Sequence, residues 1–304
     1  MNTIKTATFG LLLSAFAAPA MAATVVGLSG DNDLHWLDTD SWTRTGGVTV
    51  SGVEGRLLGI DVRPADGQLY GAFADGTLAT IDPKTGVATR VSTLATPLAD
   101  GVSATVDFNP VADKLRVMGS DGTSLRVTVE TGAVVTDGSH AYADGTVPNV
   151  IAGSYTNSHA GTEKTRLFNI DGAAGWLVLQ DPPNDGTLNA VGEIGVKPAE
   201  AGFDIASDGK GGNEAWLVVD GGFHSVDLET GATTEIGRIE GANVRDIAIL
   251  PRMWIWRAPV PSHMRLAVRN ASVPGRGYRR RSSRQLQGFD ARPCEGGEPF
   301  APTR

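Results

Sequence analysis

Four stretches of the sequence repeat one pattern of short, strand-like segments separated by tight turns. The clearest copy begins at Gly59 and reads GIDVRP, QLYG, TLATIDPKTG and ATRV in order. Its segments alternate partly between apolar and polar residues, and turn dipeptides such as Asp66-Gly67 and Asp75-Gly76 separate them. The pattern predicts a four-stranded antiparallel meander.

The copies recur at a regular interval. They start near residues 58, 104, 150 and 201, and a spacing of about 45 to 50 residues is typical of a four-stranded propeller blade. High Gly and Pro contents, 39 and 16 residues in a chain of 304, agree with an all-β protein rich in turns.

The two ends of the repeat region complement each other. Residues 244–250 (VRDIAIL) look like an opening strand with nothing after it, whereas residues 24–49 look like a copy without its opening strand. Joining them predicts an all-β, five-bladed β-propeller over residues 23–251, whose last strand completes the N-terminal blade. Closure of this kind leaves only short, protected strand edges. Two packed sandwiches, the competing architecture, do not predict such complementary ends.

The first residues have the features of an export signal. Lys5 precedes a short apolar segment over residues 9–18, and Ala20-Met21-Ala22 places small residues at the −3 and −1 positions of a cleavage site before Ala23. We therefore expect residues 1–22 to be a signal peptide and the protein to be periplasmic or extracellular. No later apolar run is long enough to span a membrane.

Charge divides the chain into two parts. Residues 1–251 contain 15 Lys and Arg against 31 Asp and Glu, whereas residues 252–304 contain 11 Arg, no Lys and three acids. The acidic body argues against nucleic acid as a partner, since phosphate binding needs a basic face. Residues 252–304 would form either a basic arm that binds an anionic surface or nucleic acid or a disordered, out-of-frame tail. The absence of Lys favours the second interpretation.

Five segments in the body resemble a bacterial secreted family known as domain of unknown function 4394. The matching segments are GIDVRPADGQLYG (59–71), VDFNPVADKLRV (106–117), SYTNS (154–158), QDPPNDGTLNAVG (180–192) and AGFDIA (201–206). They occur in the family's order, and the resemblance extends over residues 24–250. It implies export and a repetitive β fold but no activity.

Aligning the opening strands places an acid at the same position in four blades. These residues are Asp61, Asp107, Asp204 and Asp246, and Ser154 occupies the fifth position. Because the opening strand of a blade lines the central channel, the side chains could form a ring. Converging carboxylates repel one another unless they are protonated, paired or bridged by a cation. An oxygen-only site suits Ca²⁺.

Three neighbouring residues, Arg63, Asn109 and Arg245, could pair with these acids or contact an anionic ligand. The alternative is structural: aspartates at repeat positions often accept backbone N–H bonds from neighbouring turns. The sequence leaves both interpretations open.

The predicted function is that of an exported binding or scaffold module with a cation in the central channel. Its ligand is an unknown small molecule, saccharide or protein. The alternative is a hydrolase acting on an envelope or extracellular substrate, with channel acids as general acid and base. Whether the protein is an enzyme stays open, because the body contains no cysteine, nucleophile motif or histidine metal motif.

Overall fold

The computed structural model describes residues 24–239 and 241–250, where all of the regular structure is β-strand. The predicted signal peptide (residues 1–22) and the predicted tail (residues 252–304) lie outside the described residues. No helix in the described ranges is long and apolar enough to cross a membrane.

The strands form five antiparallel sheets that follow one another around a ring. The first blade contains β1 (Thr24–Ser29), β2 (Asp33–Asp38), β3 (Thr43–Thr49) and the last strand, β21 (Val244–Leu250). The second contains β4 (Leu57–Val62), β5 (Leu69–Phe73), β6 (Thr77–Ile81) and β7 (Ala88–Thr93). The third contains β8 (Ala104–Asn109), β9 (Lys114–Gly119), β10 (Ser124–Thr128) and β11 (Ala133–Thr136).

The fourth blade is the largest, because a short parallel strand is added at its outer edge. It contains β13 (Val150–Tyr155), β14 (Leu167–Asp171), β15 (Trp176–Gln180) and β16 (Thr187–Glu193), with β12 (Ala141–Tyr142) beside β16. The fifth contains β17 (Gly202–Ser207), β18 (Asn213–Val219), β19 (Gly222–Val226) and β20 (Thr233–Arg238). The five-bladed β-propeller predicted from the repeats is confirmed.

Strand β21 closes the ring by pairing with the opposite end of the chain. It runs antiparallel to β1, and the register places Thr24 opposite Leu250 and Val26 opposite Ala248. The pairing covers an edge of β1 that would otherwise expose unpaired backbone groups. The innermost strands β4, β8, β13, β17 and β21 contact their neighbours in that order, and β21 contacts β4.

Most of the core lies between adjacent blades. For example, Leu57, Ile60 and Phe73 of the second blade pack against Val26 and Leu34 of the first. Alternation of side chains along each strand presents one apolar row to each neighbouring blade, so every blade is covered on both faces.

A turn of the third blade packs against the segment that follows β7, the outer strand of the second blade. The amide of Ala95, just after β7, donates to the carbonyl of Gly132 at 2.8 Å. A Cβ atom on Gly132 would lie only 1.8 Å from the carbonyl oxygen of Thr93, and the residue has a φ of +71°. Glycine is required there for both reasons, since a side chain would meet backbone and disfavour the left-handed conformation.

Candidate functional site

Four buried aspartates occupy the innermost strands of four different blades. Only 3–5% of each residue is exposed, and Ser154, at the equivalent position of β13, is fully buried. We call this set the aspartate ring: Asp61 on β4, Asp107 on β8, Ser154 on β13, Asp204 on β17 and Asp246 on β21.

Carboxylates in the aspartate ring accept backbone N–H groups from the following blade. The carboxylate of Asp61 accepts the amides of Val62 at 2.6 Å and of Phe108, on β8, at 2.7 Å. Asp107 in turn accepts the amide of Tyr155, on β13, at 2.9 Å. These donors belong to strands rather than to turns, so the acids connect the innermost strands directly.

The same pattern continues around the other side of the channel. The hydroxyl of Ser154 donates to Oδ1 of Asp204 at 3.0 Å, and Oδ2 of Asp204 accepts the amide of Ile249, on β21, at 2.8 Å. Oδ2 of Asp246 then accepts the amide of Ile60, on β4, at 2.8 Å. These hydrogen bonds therefore link the innermost strands of all five blades in a closed ring. Ser154 donates its hydrogen bond, whereas the aspartates accept theirs.

Three acids of the aspartate ring come closest together. Asp61, Asp107 and Asp204 each place one carboxylate oxygen within 4.8 Å of the other two. Burial raises the pKa of Asp61 well above its ordinary value, and the charge of Asp204 raises it further. Burial also raises the pKa of Asp107, with the charges of Asp61 and Asp204 as additional causes. This cluster therefore favours bound protons or a bound cation over three bare charges.

Burial also raises the pKa values of Asp204 and Asp246, and hydrogen bonds or a nearby charge limit the rise. Burial raises the pKa of Asp204 to about 6, while backbone N–H bonds from Ile205 and Ile249 limit the rise. Burial raises the pKa of Asp246 to about 8, against the stabilising effect of the Ile60 amide and the Arg245 charge.

The basic candidate Arg63 lies beyond the end of β4, outside the aspartate ring. Its guanidinium donates from Nε and Nη2 to Asp113 of the third blade at 2.7 and 2.6 Å, and from Nη2 to Glu130 at 2.5 Å. It also lies 5.9 Å from the ring centroid of Tyr70. Arg63 thus joins the second and third blades through partly exposed ion pairs.

Arg245 and Asn109 also have other partners. Arg245 donates to backbone carbonyls, among them those of Gly30 at 2.9 Å and Leu58 at 2.8 Å, and so ties the first blade to β4. Asn109 accepts the amides of Val111 and Ala112, both at 2.9 Å, and caps the turn after β8. Neither side chain bonds a carboxylate of the aspartate ring.

A second buried polar cluster, not anticipated from the sequence, joins the third and fourth blades. Arg116 is 1% exposed. It donates to the Tyr155 hydroxyl at 2.7 Å, to Asp137 at 2.9 Å and to Asn184 at 2.9 Å. Here the apolar cluster is small, consisting of Met118, Tyr155 and Leu167, so polar contacts take the place of apolar packing.

Comparison with known protein families finds a match over most of the chain. The sequence matches the domain of unknown function (DUF4394) over residues 33–248. The chain belongs to this family. The resemblance inferred from five sequence segments is thereby confirmed, although the family assigns no activity. No curated protein matches the chain.

Several solved structures are similar to the chain at low sequence identity and with TM-scores below 0.5. A protein of unknown function from Bacteroides caccae is 13% identical with a TM-score of 0.43, over 71% of this chain and 73% of that one. The calcium-binding protein regucalcin from Agrobacterium tumefaciens is 19% identical with a TM-score of 0.43, over 73% and 72%. Similarity at this level identifies neither a ligand nor an activity for this family member.

Proposed function

We propose that this protein is an exported binding or scaffold module whose central channel holds a hard divalent cation, with Ca²⁺ as the first candidate. One observation supports the cation above all: three buried carboxylate oxygens, from Asp61, Asp107 and Asp204, lie within 4.8 Å of one another. Two oxygens bound to one Ca²⁺ at about 2.4 Å lie at most about 4.8 Å apart. The spacing of the three acids is therefore compatible with a shared ion.

The chemistry of the site supports the same proposal. A carboxylate set offers only hard oxygen donors, which suit Ca²⁺ or Mg²⁺ better than a softer transition metal. The backbone amides that bond Asp61 and Asp204 hold their side chains in place, so the acids need little reordering to receive an ion. Positive charge between them would replace the protons that their raised pKa values otherwise retain.

Export remains part of the proposal, since residues 1–22 lie outside the described residues. A periplasmic or extracellular location would supply the cation, because many extracellular modules bind Ca²⁺ with dissociation constants of about 10⁻⁴ to 10⁻³ M. The partner of the module would be a small molecule, a saccharide or another protein.

The hydrolase alternative receives no support from the aspartate ring. General acid–base catalysis needs a carboxyl group within hydrogen-bond reach of the substrate. Residue exposures of 3–5% keep these carboxylates out of reach of an external substrate. The burial of these acids therefore favours a binding role over hydrolysis.

Thermal unfolding with chelator, followed by Ca²⁺ titration, tests the cation. Binding to the native state alone should stabilise it by about 2.7 kcal/mol at 100 times the dissociation constant. Asp61→Asn should abolish that shift, whereas Asp100→Asn, at an exposed position, should retain it. Circular dichroism would verify that both variants fold. An unfolding midpoint that changes with neither chelator nor Ca²⁺ would refute the cation site. The aspartate ring would then have a structural role only.

A further inference from the structure

A groove of about 640 Å³ lies between the fourth and fifth blades. It is formed by the loops β13–β14, β17–β18 and β19–β20. In an antiparallel meander these first-to-second and third-to-fourth connections all lie at the same end of the blades. The volume is within the range of about 300 to 1,000 Å³ found for small-molecule sites.

Two amide side chains hold the walls of the groove together. The backbone amide of Asn157 donates to Oδ1 of Asn213 at 2.7 Å, and Nδ2 of Asn213 donates back to Oδ1 of Asn157 at 3.0 Å. Asn157 adopts a left-handed conformation with a φ of 55°, which asparagine tolerates better than most residues. The groove is therefore a preformed feature bridging two blades.

The lining combines an apolar surface with charged groups of both signs. Phe168, Val226 and Leu228 contribute the apolar part, and Lys164 and Arg166 contribute the positive charge. The Arg166 guanidinium lies 4.7 Å from the ring centroid of Phe168. Both cations come from the β13–β14 loop, in a body that is strongly acidic overall.

Two acids, Asp227 and Glu229, also line the groove, and the Asp227 carboxylate accepts the amides of Glu229 at 2.8 Å and Thr230 at 3.1 Å in its own turn. Nη1 of Arg166 lies 3.3 Å from Glu229 on the opposite wall, and the two side chains are 49% and 80% exposed. Exposed pairs of this kind contribute little to stability. The described residues provide no acceptor for the other guanidinium nitrogens of Arg166 and no ion pair for Lys164.

We propose that this groove binds a small organic acid, whose carboxylate displaces Glu229 from Arg166 and also contacts Lys164 while its body lies against Phe168. A planar guanidinium can bind a carboxylate through two parallel N–H bonds, and Glu229 at present uses one nitrogen. The acid could be a sugar acid or the C-terminus of a short peptide, since both present the same group. The proposal is independent of any cation in the channel.

Titration of the full chain with D-glucuronate and with acetyl-Ala-Ala, followed by NMR, tests the groove. Saturable shifts with either acid, absent with D-glucose or with acetyl-Ala-Ala amide, are the expected result, and the acid that binds identifies the source of the carboxylate. Failure of both acids to bind would overturn the proposal.

Three variants locate the binding. Arg166→Gln should weaken it at least about tenfold, because a charge-assisted pair is lost. Glu229→Gln should tighten it about two- to fivefold by removing the competing carboxylate. Arg238→Gln is the matched control, since Arg238 is also about half exposed and pairs with Glu235 at 3.4 Å outside the groove. Equal effects of the two arginine variants would contradict the assignment.

Discussion

Asp246 should make the stability of the protein depend on pH in a direction unusual for a carboxylate. Burial raises its pKa to about 8, against about 3.9 in an unfolded chain. Between these values the folded state keeps a proton that the unfolded state has lost. The free energy of unfolding therefore falls as the pH rises, by about 1.4 kcal/mol per pH unit, and the loss is complete once the pH exceeds about 8.

Replacing Asp246 by asparagine removes this titration and allows its size to be measured. Because His35, His140 and His224 have lowered pKa values, mainly through burial, their charging opposes the trend below about pH 6.5. They are present in both proteins, so their contribution cancels in the comparison. From pH 5 to pH 8 the difference between wild type and variant should change by about 4 kcal/mol, which is three pH units at about 1.4 kcal/mol each.

The sign of the difference should reverse within this range. Each oxygen of Asp246 accepts a backbone amide, from Ile247 at 3.0 Å and Ile60 at 2.8 Å. Asparagine keeps one acceptor oxygen for one of these amides, but its NH₂ group cannot accept the other. At pH 5 Asp246→Asn should therefore be less stable than wild type by about 1 to 3 kcal/mol. At pH 9, where the wild type has a buried charge, the variant should be the more stable protein.

Urea unfolding at a series of pH values, followed by tryptophan fluorescence, measures both curves. Chelator should be present throughout, so that no divalent cation binds the aspartate ring and only its protonation changes with pH. Parallel curves for wild type and Asp246→Asn from pH 5 to pH 9 would show that Asp246 is ionised in the folded state, and the reasoning from burial would be wrong.

Three further outcomes follow from the packing between blades. Arg116→Met should cost about 1 to 3 kcal/mol in urea unfolding because it leaves the buried Tyr155 hydroxyl without its partner, while Asp137 keeps its pairing with Arg126. By contrast, Arg238→Met should change stability by less than about 0.5 kcal/mol. Gly132→Ala should cost at least about 2 kcal/mol more than Gly145→Ala in the same assay. Both glycines have positive φ, but only at Gly132 would the new Cβ meet the Thr93 carbonyl; equal costs would contradict this. A chain without strand β21 should self-associate through the exposed edge of β1, and light scattering showing a monodisperse monomer would disprove it.

Alternation along a strand predicts the side-chain direction of one basic candidate, Arg245, but not of the other, Arg63. Arg245 immediately precedes Asp246, so alternation along β21 already directs the two side chains to opposite faces. Arg63 is two residues after Asp61 and would share its face if the strand continued. Strand β4 ends at Val62, so Arg63 falls in the turn and reaches the third blade instead.

The polar cluster around Arg116 could not be inferred from its segment. KLRV reads as an ordinary strand in which the arginine faces solvent. Its partners Asp137 and Asn184 are 21 and 68 positions away, in segments without a matching motif. Their approach depends on how the third and fourth blades pack, and that packing depends on many side chains at once.

The sequence alone determined the repeat, the blade count, the closure of the ring by β21 and the family. These properties depend on local alternation and turn residues, which recur with a fixed period and can be read segment by segment. Tertiary structure alone decided that three of the aspartates place carboxylate oxygens within 4.8 Å of one another, that Ser154 donates where the others accept, and that a groove lined by Arg166 and Phe168 opens between the fourth and fifth blades. The physical reason is that distances between blades arise from packing across the whole ring, which no single segment encodes.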